Sequence, residues 1–292
     1  MNDHVLLAER WEAQRPQLRG VAYRMLGSLS EADDAVQEAW LRLDRADTRD
    51  VENLGGWLTT VVARVCLDML RSRKARREDA FDTPAPEPAE ARAGAADPEA
   101  EMELARSVGL ALLVILDLLD PAERVAFVLH DLFDMPFDEI APIVGRSVEA
   151  TRQLASRARR RVQGAPTASA ADLAQQREAV GAFLAASRAG DLAGLLAVLD
   201  PDIVLRSDAT ALRADKPAEL RGAALIAKRA LAGGARAAQP ALVNGSVGVV
   251  IAPQGRLYMV LLFTVAGGKI VAMEAVADRE RLRAMDLAVL SG

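Results

Sequence analysis

Apolar side chains recur at helical spacing along the first part of the chain. One such pattern is "LRGVAYRMLG", in which Val21 and Ala22 lie three and four residues after Leu18, and Met25 lies four residues after Val21, the spacing of one helix face. A longer one is "GGWLTTVVARVCLDMLRSRKARRE", whose apolar positions end where a run of basic residues begins. The pattern predicts an all-helical N-terminal domain over residues 1–80, whose last helix has an apolar half and then a basic half.

The helical pattern stops at "DTPAPEPAEARAGAADPEAE", which covers residues 82–101. This stretch contains no Val, Ile, Leu or aromatic residue, so it cannot bury enough apolar surface to offset its chain entropy. Its prolines and its acidic charge favour an extended conformation. We therefore expect residues 81–101 to form a flexible acidic linker.

A second helical domain is predicted over residues 102–164. It ends in "FDEIAPIVGRSVEATRQLASRARRRVQ", which reads as a short helix, a glycine turn at Gly145, a cap at Ser147 and a second helix. This is the layout of a helix-turn-helix. The short segment "QGAPTASA" follows and is typical of a turn-forming break.

The character of the chain changes in residues 171–292. A helical stretch from Asp172 to Leu199 precedes "DIVLRSD" and "GSVGVVIAPQGRLYMVLLFTVAGGKIVAMEAVAD". Runs rich in β-branched residues, separated by glycine-containing turns, predict a meander of antiparallel strands. The fold class is thus multidomain, with two all-α domains followed by an α+β domain whose helices pack on a curved sheet.

Composition narrows the possible functions. The chain has one cysteine, Cys66, and two distant histidines, so we predict no internal disulfide, no metal site and no cofactor. The N-terminus has no apolar signal segment, and the most apolar run, "VGLALLVILDLL", is interrupted by Asp117 and is too short to cross a bilayer. We therefore expect a cytoplasmic protein.

The distribution of charge points to nucleic acid. The formal net charge is −5, yet six basic residues and a single acid lie between Arg64 and Arg77. The second helix of the helix-turn-helix carries arginines and amides on its outward face, which major-groove readout requires. Two local basic patches on an acidic chain supply the phosphate contacts while limiting indiscriminate binding. The alternative for each patch alone is a solvated basic surface.

Three motifs in order resemble those of bacterial sigma factors. They are "SEADDAVQEAWLRL", "GGWLTTVVARVCLDMLRSRKARRE" and "LDPAERVAFVLHDLFDMPFDEIAPIVGRSVEATRQLASRARRRV". With no further domain between them, the chain resembles the extracytoplasmic-function (ECF) group. The resemblance implies that the first domain is region 2, which binds the RNA polymerase core and the −10 element. It implies that the second domain is region 4, which reads the −35 element. The expected partners are promoter DNA and the β′ clamp helices and β flap of the core.

The resemblance also implies residue roles. The side chains expected to face the β′ clamp helices are Asp33, Asp34, Gln37 and Glu38. Those expected at the −10 element are Asn53, in the base-capturing loop, with Arg64, Arg71, Arg73, Lys74 and Arg76. Those expected at the −35 element are Arg146, Ser147, Arg152, Gln153, Ser156, Arg157, Arg159 and Arg160. For Asn53 a plain turn is the alternative, and for the acidic set an ordinary surface helix.

The C-terminal domain resembles the SnoaL-like cone fold found after region 4 in some ECF factors. The family's linker tryptophan is missing, and Ala209, Thr210 and Ala211 stand where glycines are typical. The available polar candidates for catalysis are Asp202, Asp208, Asp215 and Tyr258, and we predict no catalytic residue among them. We expect this domain to regulate the preceding ones in cis. The rival functions are a stand-alone helix-turn-helix regulator with a ligand-sensing tail, and a DNA-tethered SnoaL-type cyclase or isomerase.

Overall fold

The computed structural model describes residues 3–45, 53–79, 109–165, 167–211, 218–232, 237–253 and 257–290. The chain divides into two compact units. The first contains Met1–Val108 and Leu116–Arg159, and the second contains Gly109–Ile115 and Arg160–Gly292. The predicted linker, 81–101, lies outside the described residues, and so does Asp215.

The first unit begins with three long helices. These are α1 (Asp3–Leu26), α2 (Leu29–Arg45) and α3 (Leu54–Asp79). Leu18, Val21, Ala22 and Met25, which share the predicted face, are all fully buried. The helical prediction for this part of the chain is confirmed, and the burial shows that the three-to-four spacing selects the side packed against α2 and α3.

Short helices follow, in the order α4 (Leu110–Asp117), α5 (Pro121–Phe127), a π-helical turn (Val128–Leu132), α6 (Phe137–Val144) and α7 (Val148–Gln163). Gly145 ends α6 in the left-handed region at φ 69°, which a glycine adopts without steric cost. The Ser147 hydroxyl accepts a hydrogen bond from the Ala150 amide at 3.2 Å and caps α7. The predicted helix-turn-helix is therefore confirmed.

The second unit is built on one sheet. Its strands are β1 (Leu199–Ser207), β2 (Glu219–Arg221), β3 (Ala238–Val243), β4 (Ser246–Ile251), β5 (Met259–Ala266), β6 (Lys269–Val276) and β7 (Leu287–Ala288). Across the described strands the order is β2-β1-β6-β5-β4-β3-β7. β1 runs parallel to β6, and the other pairs are antiparallel. The predicted meander contains β4, β5 and β6, and the structure adds β3 next to β4.

Helices α8 (Ala170–Ala189), α9 (Leu192–Val198) and α10 (Ala223–Ala232) share a core with one face of the sheet, and α11 (Arg279–Ala284) precedes β7. Phe183 of α8 meets Phe263 of β5 edge to face, with 5.6 Å between ring centroids. The predicted helical stretch from Asp172 to Leu199 consists of two helices, α8 and α9. Gly190 ends α8 at φ 72°, and the Asp191 carboxylate caps α9 by accepting from the Gly194 amide at 2.9 Å.

The predicted fold class is confirmed: helical segments precede an α+β domain. None of the described helices combines the length and apolar character needed to span a bilayer.

Candidate functional site

The acidic residues of α2 differ in how far they are already engaged. The Asp33 carboxylate accepts two hydrogen bonds from Arg19, at 2.6 and 2.9 Å, and this contact raises the pKa of Arg19. Glu38 pairs with Arg42 at 3.0 Å on the surface. Asp34 and Gln37 are exposed. They share a face with Leu41, which is 42% exposed, because the three positions follow the helical repeat.

Leu41 belongs to the exposed face of α2, and the sequence pattern alone did not identify it as a candidate functional residue. A leucine in an amphipathic helix is normally assigned to the core. The signal that could have found it is its position, because it falls on the polar side of α2, opposite the buried residues Ala35, Ala39 and Leu43.

Asn53 lies at the start of α3. Its side-chain oxygen accepts a hydrogen bond from the Gly56 amide at 3.0 Å, and its carbonyl accepts from the Trp57 amide at 3.0 Å. These are the bonds of a helix N-cap. The residue is exposed, so the cap leaves its amide nitrogen accessible.

The basic half of α3 contains two kinds of residue. Arg64, Arg71, Lys74 and Arg76 are exposed and Arg73 is half-buried. Arg76 Nε donates to the Ser72 carbonyl of its own helix at 3.3 Å, whereas Arg71, Arg73 and Lys74 contact other elements of the first unit. Lys74 Nζ lies 2.5 Å from Asp120 Oδ1, and Arg71 Nη2 lies 3.5 Å from the Val144 carbonyl.

Arg73 is the most constrained of the basic residues in α3. Its side chain is 15% exposed and forms an ion pair with Glu31. It also donates to the Leu26 carbonyl at 3.2 Å and lies 3.7 Å from Asp117. In the described state, therefore, acids and carbonyls of its own unit occupy the donors that Arg73 would offer to a phosphate.

Arg124 of α5 is a buried cation that the sequence analysis missed. Its side chain is 2% exposed and lies 3.2 Å from the Asp117 carboxylate, and it donates to the Arg24 carbonyl at 3.3 Å. Burial lowers the pKa of Arg124 to about 10, against the opposing attraction of Asp117. Periodicity gave no signal for it, because arginine is almost never fully buried unless it is paired.

The predicted −35 residues lie on and just before α7, and they differ in their exposure and in whether they contact other elements. Those with exposed side chains are Arg146, Ser147, Arg152, Gln153, Ser156, Arg157 and Arg160, while Arg159 is half-buried. Arg157 Nε donates to Glu123 at 2.8 Å, and Arg159 Nε donates to Asp131 at 2.7 Å. These two arginines brace α7 against α5 and the π-helical turn.

Arg152 occupies the centre of the exposed face of α7. Its guanidinium carbon lies 5.8 Å from the Phe137 ring centroid, within the range of a cation–π contact. Its ion pair with Glu149 is long, at 3.8 Å, and both side chains are more than half exposed. A pair of this kind is worth little in water, so it holds the guanidinium only weakly.

In the second unit, the candidate acids do not gather at one place. Asp208 accepts hydrogen bonds from the amides of Ala211, Ala277 and Asp278, at 2.7, 2.9 and 2.8 Å, so it ties the end of β1 to the end of β6. Asp202 and Tyr258 are exposed. A groove of about 430 Å³ beside α9 and α10 is lined by Leu, Pro, Gly and Ala residues.

Comparison with known proteins identifies the two helical segments. Residues 11–76 match the model of Sigma-70 region 2, and residues 109–162 match that of Sigma-70, region 4. The chain is 41% identical over 209 residues to the probable ECF RNA polymerase sigma factor SigI of Mycobacterium tuberculosis, covering 72% of each. It is 39% identical over 286 residues to the ECF RNA polymerase sigma factor SigJ of the same organism, covering 93% of this chain and 91% of SigJ.

The crystal structure of M. tuberculosis SigJ is 35% identical in sequence. The alignment covers 94% of this chain and 98% of that structure, with a TM-score of 0.45. Both curated relatives exceed 30% identity over more than two thirds of the chain. The chain therefore belongs to the extracytoplasmic-function group of RNA polymerase sigma factors.

Proposed function

We propose that this ECF sigma factor binds the RNA polymerase core through the exposed face of α2, reads the −10 element with α3 and reads the −35 element with α7. Residues 1–80 and 102–164 are the region 2 and region 4 domains in this proposal, and residues 171–292 regulate them in cis from within the cytoplasm. The observation that carries it is the exposed face of α7, where Arg152, Gln153, Ser156 and Arg160 follow a capped N-terminus.

The first experiment tests core binding by α2. Asp34→Lys should weaken binding to purified core, because an exposed acid at the centre of the proposed contact would be replaced by a repelling cation. The matched control is Glu178→Lys, which makes the same kind of charge reversal at an exposed position of α8. Equal affinity of the two variants in a core pull-down would contradict the assignment of α2.

The second experiment separates base readout from phosphate contact on α7. Run-off transcription with core polymerase is measured on a panel of −35 sequences. Arg152→Ala should cost roughly 1–3 kcal/mol on promoters that carry the recognised base, and relax discrimination there. Arg160→Ala should weaken all promoters similarly and reduce the salt dependence. If both variants behave alike over the panel, the proposed division of the helix is wrong.

Ion pairs in the first unit support a closed state for the −10 reading helix. Arg71, Arg73 and Lys74 already contact carbonyls or acids of their own unit. We propose that these three residues reach promoter phosphates only after those contacts are exchanged, whereas Arg64 is exposed and Arg76 hydrogen-bonds within its own helix, to the Ser72 carbonyl. Opening is then a population shift that the polymerase and promoter drive by binding the open form more tightly.

The C-terminal domain acts in this proposal as a regulatory domain without catalysis. The Asp208 carboxylate accepts hydrogen bonds from three backbone amides, so it has a structural role. The groove beside α9 and α10 has no titratable side chain in its lining, and a catalytic pocket needs convergent polar groups. Both observations favour regulation over the cyclase rival. The stand-alone regulator leaves the exposed polar face of α2 without a partner.

A further inference from the structure

The end of the recognition helix α7 is completed by a distant part of the chain. Its last turn, Arg160–Gln163, belongs to the second unit. There the Val162 carbonyl accepts a hydrogen bond from the Val289 amide at 2.8 Å, just after β7. The last carbonyls of a helix have no partner within the helix. The C-terminal segment of the chain therefore supplies a donor that caps α7.

The next residue, Gly164, lies directly against β7. It has φ 61°, and a Cβ atom built on it would lie 2.3 Å from the Cβ of Ala288. Real Cβ atoms do not approach so closely, so an alanine here forces the two segments apart. The backbone conformation and the close approach both require glycine.

A second contact follows at Thr167. Its amide donates to the Gly245 carbonyl at 3.1 Å, and its hydroxyl donates to the Asn244 carbonyl at 3.2 Å. The turn between β3 and β4 is in turn joined to Asp286. The Asn244 amide donates to the Asp286 carbonyl at 2.8 Å, and the Asn244 side-chain oxygen accepts from the Asp286 amide at 2.9 Å.

These contacts change the role of the segment after α7. The sequence predicted a short turn-forming connection, but Gly164 and Thr167 are held against neighbouring strands, β7 and the β3–β4 turn. We call the contacts of Val162, Gly164 and Thr167 with these strands the C-terminal clamp. Because the clamp grips the turn that carries Arg160, it acts on the helix end nearest a proposed phosphate contact.

We propose that Gly164 and Thr167 are positioning residues for promoter binding, through which the C-terminal domain orders the last turn of α7. The proposal rests on the proposed function of α7 and adds the route by which the C-terminal domain reaches it. A clamp that loosens lets the last turn fray, and Arg160 loses its defined position. Any change at β7 or at the β3–β4 turn then alters promoter affinity with no residue of that region touching DNA.

The test uses the full-length protein with core polymerase and two promoters, one with an intact and one with a scrambled −35 element. Gly164→Ala should lower transcription from both promoters by a similar factor, roughly threefold to tenfold, the effect of one lost hydrogen bond, because Arg160 is proposed to contact phosphate and phosphate contacts do not depend on sequence. The promoter ratio used below is transcription by a variant divided by transcription by the wild type on the same promoter. Exchange of the Val289 amide should accelerate in the same variant. Core binding should stay at the wild-type level, because α2 is untouched.

A rescue variant and a control separate positioning from general strain. Gly164→Ala combined with Ala288→Gly removes the clash between the two methyl groups and should restore most of the promoter ratio and most of the slow exchange of Val289, while the cost of an alanine at positive φ remains. Gly190→Ala places an alanine at another helix end with positive φ, where nothing lies within 4 Å of the new Cβ. It should leave the promoter ratio unchanged. Equal loss in Gly190→Ala, or no rescue by Ala288→Gly, overturns the proposal.

If Gly164→Ala does not fold, Thr167→Val tests the clamp proposal in its place. This near-isosteric change removes only the hydroxyl, and it should lower the promoter ratio in the same direction by a smaller factor. A wild-type ratio in Thr167→Val then overturns the proposal. Wild-type protein that shows no −35 dependence would instead refute the proposed function. If the wild-type protein shows −35 dependence and the clamp variants transcribe at the wild-type level, the clamp proposal is refuted and the proposed function stands.

Discussion

Replacing Asp117 by asparagine should destabilise the first unit strongly, because Asp117 is the carboxylate beside the buried Arg124. The two side chains are 23% and 2% exposed, and their nearest charged atoms are 3.2 Å apart. Arg73 Nη1 lies 3.7 Å from the same carboxylate oxygen, Asp117 Oδ1. Asparagine keeps the shape and an acceptor oxygen but removes the charge that two guanidinium groups share.

The magnitude follows from the geometry. At 3.2 Å and an effective dielectric constant of about 20, the gross attraction is about 5 kcal/mol. Repulsion between Arg73 and Arg124 and the partial exposure of Asp117 reduce this figure, while the buried guanidinium is left without a counter-charge. Breaking a buried pair in this way typically costs several kcal/mol. We expect Asp117→Asn to lower the free energy of unfolding by about 3 kcal/mol.

The assay is urea unfolding followed by tryptophan fluorescence. All three tryptophans, at positions 11, 40 and 57, lie in the first unit, so the signal reports that unit. The matched control is Asp68→Asn on the exposed side of α3, which should change stability by less than about 0.5 kcal/mol. Adding Arg124→Met to Asp117→Asn removes the unpaired charge and should recover most of the loss.

Two results would refute this reasoning. One is a loss in Asp117→Asn that equals the loss in Asp68→Asn, which would mean that the carboxylate is not needed. The other is a double variant whose destabilisation is the sum of its two single variants, since strict additivity means that the two groups do not interact.

Three other predictions test other parts of the molecule. Burial raises the pKa of the Cys66 thiol from 9.0 to about 12. Its contribution to stability is therefore complete below pH 9 and is lost as the pH rises toward 12. From pH 8 to 10 the wild type should lose about 1.4 kcal/mol more than Cys66→Ala in urea unfolding, and equal losses would contradict this. Asp208→Ala should lower the stability of the second unit by about 2–3 kcal/mol, because backbone amides lose their acceptor; a wild-type melting temperature would contradict it. A double-mutant cycle of Asp131→Ala and Arg159→Ala should give a coupling of about 0.5–1 kcal/mol in urea unfolding, whereas zero coupling would show that the pair does not brace α7.

Local chemistry explains what could be predicted from the sequence. The buried faces of α1 to α3 follow from apolar spacing, since a helix repeats every 3.6 residues. The helix-turn-helix follows from Gly145 and Ser147, whose effects on the backbone extend only a few residues. The strand meander follows from β-branched runs between glycine turns. Order along the chain and similarity of motifs then identify the family.

Only the tertiary structure decided which of these side chains are committed to one another. Periodicity places Arg73 and Arg159 on polar faces, but their partners, Asp117 and Asp131, are 44 and 28 residues away in the sequence. The segment after α7 is rich in small residues and looks like a tether, yet Gly164 is held against Ala288. Helical repeats and turn residues act over a few positions, whereas ion pairs and close backbone approaches depend on which distant segments fold together. The sequence therefore determined the elements and the family, and packing determined which cations pair with acids from distant parts of the chain.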